Sequence, residues 1–126
     1  DSNVTCTRRE KSNTPLQALA IWNDPVFIEC AAHLANRLLK STAETEKEKV
    51  TLAFKICFSR HPRQAEVDVL LNLLNQSKTI FKSRPQLAEN AIRGIKTPNG
   101  ISVSEFGAWF LVARTLINLD DFIVRP

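Results

Sequence analysis

The chain of 126 residues has no methionine, only three glycines and three cysteines, and no apolar run near the eighteen or so residues of a membrane span. Each shortage excludes something. With no methionine even at position 1, Asp1 is read as a cut or processing boundary, and the chain as a piece of a longer product. No glycine-rich phosphate loop and no nucleophile elbow occur, so those two routes to nucleotide binding and acyl transfer are absent. Cys6, Cys30 and Cys57 stand at neither metal-ligand nor haem-attachment spacing. An odd, sparse set argues against a disulfide framework. Cys30 and Cys57 lie among apolar residues and are expected as small core side chains, with Cys6 exposed in a polar leader. No signal peptide is visible.

Net charge is +4, from 17 Lys and Arg against 13 Asp and Glu. The cations are scattered: Arg8, Arg9 and Lys11, then Arg60 and Arg63, then Lys78, Lys82 and Arg84, then Arg93 and Lys96. No stripe interleaves them with aromatics, so a solvated surface of mixed sign is expected and a nucleic-acid partner is the weakest reading. An apolar content of 44% and a charged content of 24% suit one soluble domain.

What is present is helix punctuation. Residues 1–13, "DSNVTCTRREKSN", are polar and aperiodic, an arm or a torn domain edge. From residue 14 to 126 the chain reads as one helical domain. In "TPLQALAIWNDP", Thr14, Pro15 and Gln17 form a capping-box start, and Asp24-Pro25 repeats the cap-plus-proline signal. Phe27, Ala31, Leu34 and Leu38 then follow helical spacing. Thr45 and Glu48 predict another start, with Val50, Ala53, Phe54 and Cys57 on its apolar face, and Pro62 ends that helix. Val67, Leu70, Leu71 and Leu74 mark a further helix, and Pro85 opens one carrying Leu87, Ala91 and Ile95. Ser102 and Glu105 cap the last, whose run from Phe106 to Leu119 is apolar nearly all round. Such a helix is normally buried on every side. The expected fold is all-α: a single-domain bundle of five to six helices around a central C-terminal helix, with "DDFIVRP" leaving as an extended tail.

The search for chemistry yields little. Glu29 and His33, four apart, make half a metal site, but the only other histidine is His61, so an exposed pair is expected. No catalytic, cofactor-binding or metal-ligating set is assigned. Arg114 lies within the most apolar helix and needs a partner. Asn118 and Asp121 downstream and Asp24 at the corner are the candidates for a structural polar network with it. Trp22 and Trp109 are read as core residues rather than stacking platforms.

Three stretches, "NTPLQALAIWNDPVFIECAAHLANRLL", "AFKICFSRHPRQAEVDVL" and "FGAWFLVARTLINLDDFIVRP", together resemble the C-terminal part of the domain of unknown function 1553 (DUF-1553) family. The resemblance implies a large exported parent protein of planctomycete type, often with a cytochrome c-like module elsewhere, and no known reaction. The haem motif Cys-x-x-Cys-His is absent here, so no haem role is carried over. Where the family tends to carry a threonine cap after Arg-x-Pro, this chain has Arg63.

The leading expectation is therefore a non-catalytic docking or structural module whose partners are other domains of the parent. The docking surface is expected around Leu16, Leu19 and Trp22 and at Phe122, Ile123 and Val124, with a homodimer formed by the isolated piece. The alternative is one wall of a hydrolytic or redox site, related to polysaccharide, that the rest of the parent completes.

Overall fold

The computed structural model describes residues 25–92 and 94–122, the last four of these by backbone alone. Among the described residues there are five helices and no strand: α1 (Pro25–Lys40), α2 (Glu46–Phe58), α3 (Gln64–Ser83), α4 (Pro85–Ile92) and α5 (Val103–Phe122). The helix expected from residue 14 lies outside them, as do Leu16, Leu19, Trp22, Asp24, Ile123 and Val124.

In α1 the expected face is the buried one. Phe27, Ala31, Leu34 and Leu38 are in the core, joined by Ile28, Cys30 and Ala35. Arg37 and Lys40 sit in its last turn, where cations favour the helix dipole. Ser41 closes that end, donating from N and from Oγ to Leu38 O at 3.2 and 2.8 Å. Cys30 is buried, as expected of a small core side chain, and is disulfide-bonded. An odd cysteine count rules out complete pairing, not a single bridge.

α2 starts at the expected cap: Glu48 N donates to Thr45 Oγ1 at 3.0 Å. The Glu48 carboxylate reaches one residue further back and accepts from Glu44 N at 2.9 Å. The helix ends at Ser59 in the left-handed conformation (φ 59°), its N–H bonded to Lys55 O. Arg63 contributes no side-chain cap to α3, yet the helix start is held. Glu66 accepts from Arg63 N at 2.7 Å and is gripped by both terminal nitrogens of Arg60 at 3.2 and 3.0 Å. The Arg60 guanidinium lies 4.7 Å from the centre of the Phe54 ring, so one side chain welds the end of α2 to the start of α3. The Arg60 hydrogen bond, followed by the one from the Arg63 backbone, holds the Glu66 carboxyl below its ordinary range.

α4 departs from expectation in its inward face. Ala88 and Ile92 are buried, Leu87 is exposed, and Ile95 falls beyond the helix. The helix cannot reach Ile95 because Gly94 turns the backbone to φ 82°.

α5 is the centre. Phe106, Ala108, Trp109, Phe110, Val112, Ala113, Leu116 and Ile117 are all buried, and the helix packs against each of the other four. Ser102 Oγ accepts from Glu105 N at 3.1 Å, the cap expected there. The helix runs on to Phe122, so Asp120 to Phe122 do not start an extended tail; no glycine or proline stands before Pro126 to stop it. At Gly107, α5 lies tight against α3 and α4. A Cβ there would lie 3.1 Å from two carbons of the Phe81 ring and 3.2 Å from the Ala88 Cβ.

Candidate functional site

Two polar constellations stand out. The first is a knot at Lys78, whose ammonium bonds to Glu46 and lies 3.3 Å from Glu105 Oε1. Glu105 Oε2 accepts from Trp109 Nε1 at 3.0 Å. The cluster ties α2, α3 and α5 together and ends on a core indole. Burial pushes the Lys78 ammonium towards lower pKa, but the Glu46 hydrogen bond and the attraction of both carboxylates outweigh it, so its pKa is raised. A raised ammonium pKa stabilises the fold below the unfolded value of about 10.5 and loses that contribution as pH rises through the folded value. Urea midpoints should therefore fall in alkaline solution, more in the native chain than in Lys78→Met. The carboxylates are 38% and 32% exposed, so the difference should stay under about 1 kcal/mol. Equal alkaline slopes for the two proteins would show that the knot contributes nothing. The knot reads as a structural brace.

The second constellation is an open cleft of about 700 Å³ beside α1. One wall is the stripe Glu29, His33, Asn36 and Lys40, at i, i+4, i+7 and i+11, with Ala32 beside it. The other wall is the turn from Ile95 to Asn99, and Phe106 of α5 lies at the base. Gly94 and Gly100 bracket that turn, both at φ 82°, a conformation that L residues rarely adopt. Ile95 N bonds to Ile92 O and Ile101 N to Pro98 O, at 3.0 and 3.2 Å. The wall is thus set by turn chemistry at both ends. Asn36 Oδ1 is shielded from solvent and has no hydrogen-bond partner among the described residues.

Glu29 and His33 are both exposed on the cleft wall. No group of three or more His, Cys, Asp or Glu able to hold a metal occurs among the described residues. Arg114 and Asn118 are half-buried one turn apart on α5, with Arg114 Nε and Asn118 Oδ1 shielded from solvent. Asp24 lies outside the described residues and Asp121 is described by backbone alone. Trp109 is fully buried, as the core reading expects.

On the outside, Val69 and Ile80 of α3 are 65% and 50% exposed. They lie eleven residues apart on one helix face, with half-buried Leu73 between.

The sequence model of the PSD1 family, described as a protein of unknown function (DUF1553), matches residues 1–74. The match takes in the polar leader, α1, α2 and the first half of α3. No curated protein and no solved structure matches the chain.

Proposed function

We propose, from the premise that the chain belongs to the DUF1553 family of proteins of unknown function, that it is a non-catalytic helical module that docks other domains of a larger exported protein of planctomycete type. The observation that carries this reading is the outer strip of α3. Two large aliphatic side chains, Val69 and Ile80, stand in water on one face with Leu73 between them. Covering such a strip releases water, and a partner surface is the ordinary way to cover it. Leu16, Leu19 and Trp22, together with Phe122, Ile123 and Val124, form a second proposed docking surface. In this reading Arg114, Asn118, Asp24 and Asp121 position helix ends and do no chemistry.

The disulfide at Cys30 supports export, because such bonds persist in oxidising compartments. No helix among the described residues is long and apolar enough to cross a membrane. The alternative, one wall of a hydrolytic or redox site, draws on the cleft where Glu29 and His33 stand.

The isolated chain should cover its apolar surface by self-association. Light scattering should find a dimer for the native chain and a monomer for the Val69→Lys/Ile80→Lys double variant. The melting temperature should hardly move, because each exposed substitution is worth within about 0.5 kcal/mol. A monodisperse native monomer at high concentration sinks the docking reading.

A further inference from the structure

We propose that the cleft between α1 and the Gly94–Gly100 turn binds an extended polypeptide segment carrying an acidic side chain. The dimensions fit such an occupant. The stripe from Glu29 to Lys40 advances eleven residues along α1, about 16 Å at the helical rise. That is the length of about five residues of extended chain. A cavity of about 700 Å³ is within the range of ligand-binding clefts.

The charges select the occupant. Among the described lining residues, Lys40 and Lys96 carry positive charge and Glu29 negative. Both lysines are exposed, and neither is in an ion pair among the described residues. A carboxylate entering the cleft gains two ammonium groups against one repelling carboxylate. The remaining lining suits a peptide backbone. Asn36, Thr97 and Asn99 offer donors and acceptors, while Ala32, Ile95 and Pro98 offer apolar contact. An acidic sugar chain fits less well: Phe106, the aromatic at the base, is 1% exposed and presents no stacking face. The left-handed glycines at both ends of the turn, with Pro98 inside it, preform the wall, which lowers the ordering cost of binding.

The test uses amide NMR shifts of the isotope-labelled chain, titrated with three blocked pentapeptides, Ser-Gly-X-Gly-Ser, in which X is Glu, Gln or Lys. The Glu peptide should shift amides of α1 and of the 95–99 turn and bind tightest, with the Lys peptide weakest. A Lys40→Gln/Lys96→Gln double variant, altered only at exposed positions, should keep its spectrum and bind the Glu peptide about fivefold more weakly. Raised salt should narrow the difference between peptides. Shifts confined to other surfaces, equal binding of the Glu and Lys peptides, or tighter binding of a galacturonate trimer than of the Glu peptide overturns the proposal. The α3 strip is untouched by these variants, so failure here leaves the docking reading standing, and failure there leaves this one.

Discussion

Replacing Trp109 with alanine should cost about 3–5 kcal/mol, the range for deleting a large buried aromatic. Trp109 is fully buried and is the largest of the fully buried side chains among the described residues. Its removal opens a cavity where α5 meets the rest of the bundle. It also deletes the donor to Glu105 Oε2, the carboxylate that braces Lys78. A domain of this size has about 5–15 kcal/mol of stability in all, so the variant should be marginal or unfolded. Trp109→Phe separates the two effects. It keeps most of the volume and loses the N–H, and Glu105 is exposed enough for water to replace that bond. Its cost should be well under half that of the alanine variant. Urea unfolding followed by far-ultraviolet circular dichroism measures both. A loss below about 1 kcal/mol for Trp109→Ala is incompatible with α5 as the centre of the core.

The second large effect is at Gly107. A valine there places a Cβ 3.1 Å from the Phe81 ring and 3.2 Å from Ala88, and then adds two methyl groups to the same crowded contact. Overpacking of this kind costs about 1–3 kcal/mol, to which the stiffness of a β-branched residue in a helix adds. Alanine is a closer contest. It gains about 1 kcal/mol in helix propensity and needs Phe81 to give by a few tenths of an ångström. The double variant Gly107→Val/Phe81→Ala should be more stable than the sum of its parts, because the second change vacates the space that the first needs. Additive costs in that cycle would mean that the two positions do not touch.

Much of this architecture was legible in the sequence because it is local. Thr45 and Ser102 cap the helices they were expected to cap, since a hydroxyl bonds a backbone N–H three residues on. The all-round apolar run of α5 has no stable home but the centre. The misses are features whose parts are far apart along the chain. Lys78 and Glu46 are 32 residues apart, and no period joins them. The cleft needs a loop set against a helix, and only packing decides their spacing. Nothing in the sequence marks Gly107, whose meaning lies in what Phe81 and Ala88 do beside it. Arg63 looked like a weakened helix start; Arg60 holds Glu66 in place from six residues away. Leu87, Ala91 and Ile95 were read along one helix, but α4 is a short helix ending before Gly94, and its buried residues are Ala88 and Ile92.

The position of α5 in the chain has a consequence for biogenesis. α1, α3 and α4 each make their largest interface with a helix that follows all of them in sequence. As residues leave a ribosome or an export channel in order, the earlier helices meet no common partner until Phe106 to Ile117 arrive. Until then their apolar faces remain available to chaperones and proteases. Closure is therefore a late event that brings distant segments together at once, and such non-local closure is slow compared with helix formation. On the proposed route of export this delay is useful. A segment that cannot complete this core before α5 arrives stays threadable until Phe106 to Ile117 have been delivered.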